Sequence, residues 1–134
     1  MNMAIKTYSD KKELPLDSTT VGYWNEDEQG VTIWIHTMSD WRFMVAVLFH
    51  ELIEWALTKH RGVTTAQCDA FDDDYEEQYR NGRNKAEEPG DDPDCPYFEG
   101  HQFGNHLEWT VIFILGASWK DYLKECGEIC ECEY

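Results

Sequence analysis

The stretch SDWRFMVAVLFHELIEWALTKHRG, Ser39 to Gly62, decides how this chain is read. It carries the marks of one long helix. Ser39 or Asp40 offers a short side-chain oxygen to the unpaired N–H groups of a first turn. Lys59, His60 and Arg61 bring positive charge to the last turn, where the helix dipole favours it, and Gly62 suits a left-handed stop. From Phe43 to Phe49 the residues are apolar all round, as in a helix buried on most sides. Into this apolar helix the chain sets His50, Glu51 and Glu54. His50 and Glu54 are one turn apart and share a face, while Glu51 points to a neighbouring one. Buried ionisable groups are costly unless paired or bound to a metal. An imidazole and a carboxylate one turn apart both reach one cation, and a second carboxylate beside the imidazole can hold a water. The spacing is that of an H-E-x-x-H zinc helix with Glu54 in place of the second His, and carboxylate oxygen is an accepted zinc ligand. The same residues also fit a plain hydrogen-bonded His50–Glu54 pair at the helix rim, with Glu51 and Glu54 facing solvent.

Composition bounds the rest. A chain of 134 residues fits one domain with a real core, 1–134, and 14% aromatic residues argue for a folded protein. Eleven basic against 27 acidic residues give a net charge of −16, which repels nucleic acid and anionic membranes. The acidic surface is expected to be solvated, although it also suits a basic partner protein. The opening run MNMAIKTYSDKKEL has no apolar segment of the signal-peptide kind, and no apolar run is long enough to span a bilayer. Five cysteines, an odd number, then point to free thiols and a cytoplasmic setting.

An α+β architecture is expected: an N-terminal β-hairpin or small antiparallel sheet packed on the H-E-x-x-E helix, then a predominantly helical half. Thr20–Trp24 and Val31–His36 read as the hairpin strands, joined through NEDEQG, and Ala4–Tyr8 as a further short strand. In the second hairpin strand Val31, Ile33 and Ile35 alternate with Thr32, Trp34 and His36. His36 is expected to be structural. After Gly62, Thr64 or Thr65 can cap a helix whose core stripe is Cys68, Phe71, Tyr75 and Tyr79. Its acids form a solvated face, and they lack the spacing of an EF-hand. Residues 81–97 form a long loop rich in Pro, Gly and acids, with the length of a lid. Tyr97 to Ala117 reads as the second major helix, starting near Glu99 or Gly100. His101 and Glu108 lie two turns apart on one face with Asn105 between them, and His106 points elsewhere. Ser118 caps a last short helix. Residues 126–134 read as a flexible tail in which Cys126, Cys130 and Cys132 lack a C-x-x-C pair.

The run from Val21 to Gly62, a hairpin followed by a helix bearing H-E-x-x-E, resembles the minimal zincin metallopeptidase fold. Most of the chain is also similar to small phage and prophage proteins. The shared pattern is HELIE, KHRG at Lys59–Gly62, Phe71–Asp72, a PGDDP loop at Pro89–Pro93, Pro96–Tyr97, and a helix with His101 and Glu108 seven apart. The resemblance implies a metal-dependent hydrolase, most simply a peptidase acting on a peptide or protein in the host cytoplasm. His50, Glu54 and His101 are then metal ligands, Glu51 the general base, and Glu108 a fourth ligand or a partner that orients an imidazole. Zinc is the first choice. Iron or manganese suits a carboxylate-rich set, although the Glu-x-x-His repeat of di-metal bundles is absent. The alternative is a non-catalytic, metal-stabilised acidic protein that modulates a host protein. A further alternative is a polar core with no metal at all.

Overall fold

Alternation along one strand sets the first layer. The computed structural model describes residues 1–14, 20–83 and 88–130. Val31, Ile33 and Ile35 of strand β3 (Gly30–His36) are buried, while Thr32, Trp34 and His36 stay half-buried on the other face. Each buried branched side chain contributes roughly 1.5–3 kcal/mol. Strand β2 (Gly22–Glu26) pairs antiparallel with β3. The Asp27 carboxylate holds the turn between them by accepting from the Gln29 N–H at 2.8 Å and the Gly30 N–H at 3.2 Å. The expected hairpin is therefore present, with its first strand shifted toward the turn.

Strand β1 (Asn2–Tyr8) takes the other edge of β3 and runs parallel to it, Asn2 opposite Gly30. The order is β1-β3-β2, so the small sheet is mixed and not antiparallel as expected. Once β2 occupies one edge of β3, the other edge accepts a strand in either direction. The mostly exposed β1 has no buried alternation to signal its direction.

Helix α1 (Trp41–His60) starts where the Asp40 side chain accepts from the Arg42 N–H at 2.9 Å, and it ends before Gly62, whose φ is +75°. Phe43, Ala46, Val47 and Trp55 pack into the core with the inner residues of the sheet. On its other side lies α3 (Phe98–Ile114), running antiparallel. Glu54 of α1 meets Gly100, His50 meets Gly104, and Arg42 donates to the Leu115 carbonyl at 3.2 Å. Two glycines one turn apart let the backbones close. A Cβ on Gly100 would lie 2.8 Å from the Glu54 carbonyl oxygen, and one on Gly104 would lie 2.7 Å from Nδ1 of His50.

Helix α2 (Thr65–Arg80) begins with a capping box between Thr64 and Gln67. Its stripe is buried at Cys68 and Tyr75 and half-buried at Phe71, but Tyr79 at the far end is exposed. The Tyr97 hydroxyl donates to Asp72 at 2.6 Å and ties α2 to the entry of α3. Helix α4 (Trp119–Cys130) starts where Ser118 Oγ accepts from the Asp121 N–H at 3.2 Å. It runs on to Cys130, into the segment expected to be a flexible tail, because Tyr122 and Cys126 continue one buried stripe. Cys126 is thus an apolar core residue. Cys132 lies outside the described residues. Among the described residues, no helix is long and apolar enough to cross a membrane.

Two predictions follow from this packing. Ala favours a helix over Gly by about 1 kcal/mol, but overpacking against rigid backbone costs about 1–3 kcal/mol. Gly100→Ala should therefore lower the chemical-denaturation midpoint, whereas a rise would mean that α3 does not approach α1 this closely. Burial pushes the Asp72 carboxyl from 3.8 up to about 6, against the lowering effect of the Tyr97 bond. The folded chain then holds that proton longer than the unfolded chain, so stability falls as pH rises from about 4 to 6. Asp72→Asn should gain nothing relative to the parent at pH 4 and its full advantage above pH 6. A gain equal at both values would remove the titration argument.

Candidate metal centre

Helix α1 presents two working edges. Glu51 and Trp55 look toward β2: a Cβ on Gly22 would lie 2.9 Å from Glu51 Oε1, and the Trp55 indole donates to Glu26 at 2.9 Å. His50 and Glu54 look toward α3, as their shared face requires. There Glu54 Oε2 lies 3.1 Å from Nε2 of His50 and 3.0 Å from Nδ1 of His101. Its other oxygen accepts from the Trp24 indole at 3.0 Å. The two imidazoles stand edge to face with centroids 5.0 Å apart. His50, Glu54 and His101 are all buried.

These three donor atoms lie within 4.8 Å of one another. A tetrahedral zinc with bonds of about 2.0–2.2 Å holds its donors roughly 3.3–3.5 Å apart. The contacts at Glu54 are a few tenths of an ångström tighter, so a small outward shift of the two rings fits the triad to an ion. The set is nitrogen and oxygen without thiolate, which suits zinc, iron or manganese.

His101 and Glu108 share a face but stand about 10 Å apart along the helix, and the triad does not include Glu108. The structure places Glu108 elsewhere. Its Oε1 contacts Nδ1 of His50, the nitrogen turned away from the triad, and its Oε2 accepts from the Tyr122 hydroxyl at 3.0 Å. Of its two expected roles, this geometry matches the partner that orients an imidazole. Glu51 is buried but outside the triad's donor set. Asn105 and His106 are exposed, and Gly104 is the residue that sits between His101 and Glu108 against the site. His36 keeps to the sheet, with its Nδ1 at 2.7 Å from the Thr37 carbonyl.

Three neighbours of the site, Trp24, Glu88 and Asp91, are not among the candidates read from the sequence. In the sequence Trp24 is only the last residue of an expected strand, and Glu88 and Asp91 are two acids of a long loop. In the structure a 3-10 turn at Pro89–Asp91 brings both carboxylates to Nε2 of His101, at 3.3 and 3.2 Å. The usable signal was the tight Glu-Pro-Gly-Asp turn, which sets its two acids close together.

Electrostatics describe the metal-free cluster. Burial works against the imidazolium of His101, but Glu54 and Glu88 outweigh it and raise its pKa to about 10. Burial likewise opposes charge on His50, while Glu108 and Glu54 raise its pKa well above the ordinary value. Burial would lift the Glu54 carboxyl, yet bonds from His101 and His50 hold it at about 2. At Glu51 burial, reinforced by Glu54, pushes the carboxyl up to about 8. The two rings therefore hold protons where a divalent cation can replace them.

Removing the shared acceptor should be the most damaging change. Glu54→Gln removes the one anion that the two buried imidazoles share and should cost roughly 3–5 kcal/mol in chelator-treated protein. Glu108→Gln keeps an amide oxygen for Tyr122 and should cost less than half as much. Denaturation in the presence of EDTA measures both, and equal or reversed costs would contradict the central place of Glu54.

No protein-family model, curated protein or solved structure matches this chain.

Proposed function

We propose that the chain binds one divalent metal ion through His50 Nε2, Glu54 Oε2 and His101 Nδ1, and that the centre belongs to a hydrolase of zincin type. Zinc is the first candidate, with iron or manganese as alternatives. The observation that carries the reading is the convergence of three buried donors from two antiparallel helices within 4.8 Å. Three protein ligands leave one position for a water, which zinc makes acidic enough to ionise near neutral pH. Glu108 braces His50 from behind, itself held by Tyr122. Glu51, next to His50 in the chain, is assigned the proton-carrying role that the zincin resemblance implies. A peptide is the substrate class that goes with that resemblance. A cytoplasmic setting, that of the host where the chain is phage-encoded, suits the buried thiols Cys68, Cys95 and Cys126.

One observation favours a second reading. His50, Glu54 and His101 are only 6–8% exposed, a closed environment for a peptide substrate. In that reading the ion only pins α1 to α3, and the acidic surface, net −16, meets a basic host protein.

Elemental analysis of the purified chain, with turnover of an unstructured peptide mixture, separates the readings. The hydrolase predicts about one ion per chain, and a Glu51→Gln variant that keeps the ion and loses turnover. The pinning role predicts no turnover in either protein, and a fall of more than about 5 °C in melting temperature on chelation. A chain without metal, whose melting is indifferent to chelator, would sink both.

A further inference from the structure

The triad uses one nitrogen of His101, and the other is the less ordinary one. His101 is 8% exposed, and its Nε2 is buried with no hydrogen-bond partner among the described residues. A buried polar atom left in this way costs about 1–3 kcal/mol. Two carboxylates nevertheless sit beside it. Glu88 Oε2 is 3.3 Å away and Asp91 Oδ1 3.2 Å away, neither placed as an ordinary, well-aligned acceptor. The placement is built into the backbone. The Asp91 N–H bonds to the Glu88 carbonyl at 3.1 Å across the turn. Gly90, between them, lies so close that a Cβ there would come 2.6 Å from Cγ of the His101 ring. Only a residue without a side chain lets the turn press its two acids onto the ring edge.

Separations of 3.2–3.3 Å without hydrogen-bond alignment match the spacing of donors around a common small cation, about 3.0–3.5 Å. The three donor atoms lie within 4.8 Å of one another. The carboxylates are about half-exposed, at 45% and 47%, so water can complete the coordination.

We infer that Glu88, Asp91 and Nε2 of His101 form a second divalent-cation site, on the solvent side of the triad, so that the His101 ring bridges two ions. The bridge rests on the inner triad holding its ion; the outer site does not. With both ions in place the ring binds metal through both nitrogens, and its remaining proton leaves to solvent. The donor set of two carboxylates and one imidazole takes a borderline or hard divalent ion such as zinc, manganese or copper(II). The outer position is also the exposed side from which an ion reaches the buried centre.

Equilibrium dialysis of the full chain against zinc alone provides the test, with Glu88→Gln/Asp91→Asn and His50→Gln as separate variants. The double substitution alters half-exposed loop side chains, so the fold should persist, which circular dichroism checks. The expected result is two ions for the parent and one for each variant. In copper(II)-loaded parent protein, spin coupling through the ring should weaken the resonance signal, and the double variant should restore a simple mononuclear one. One ion in the parent, kept by the double variant and lost by His50→Gln, overturns the outer site and leaves the triad standing. One ion lost by the double variant and kept by His50→Gln supports the outer site and sinks the triad. Loss of both ions from the folded double variant would make the carboxylates mere supports for His101 and overturn the inference, and a parent that binds none overturns both sites.

Discussion

One carboxylate joins three parts of this molecule. Glu54 accepts from the Trp24 indole of β2 with one oxygen and faces His50 and His101 with the other. The sheet, α1 and α3 therefore meet at a single buried anion. An isolated carboxylate in such surroundings is too costly to stay ionised. It does so here because its partners come from three directions, and the low proton affinity of Glu54 reflects them. The approach of α3 that delivers His101 depends in turn on Gly100 and Gly104, which lie against Glu54 and His50. Backbone contact and polar contact thus support each other.

Around this node the polar groups are arranged in order. Each imidazole has one nitrogen on Glu54 and the other against a carboxylate, Glu108 for His50, and Glu88 with Asp91 for His101. Such an arrangement orients a metal-ligating histidine. It is also what two imidazoliums need in the absence of metal, since each then lies between anions. In the proposed centre a divalent ion would compete with protons for the same atoms, so its occupancy would follow pH and metal supply.

Burial separates this centre from an open active site. A mechanism of the zincin kind needs a substrate at the metal, whereas the three triad residues are shielded by α3 and by the turn at Pro89–Asp91. Among the described residues, that turn is the wall of the site supplied by a loop, the others coming from α1, α3 and Trp24 of β2. Access, whether of an ion or of a substrate, is therefore most economical there.

Local periodicity determined a good deal by itself. The long helix and its ends, the Val31–Ile33–Ile35 face, the hairpin, and the shared face of His50 and Glu54 all follow from residues near one another in the chain, where 3.6- and two-residue spacings leave little choice. The same spacing put His101 and Glu108 on one face of the second helix. It could not say that two turns of rise carry them to different atoms, one to Glu54 and the other to the back of His50. The parallel course of β1, the extension of α4 through Cys126, and the arrival of Glu88 and Asp91 at His101 were equally out of reach. Each depends on which distant surface a segment meets: the free edge of β3 for β1, the core for the stripe of α4, and the His101 ring for the tight Glu-Pro-Gly-Asp turn.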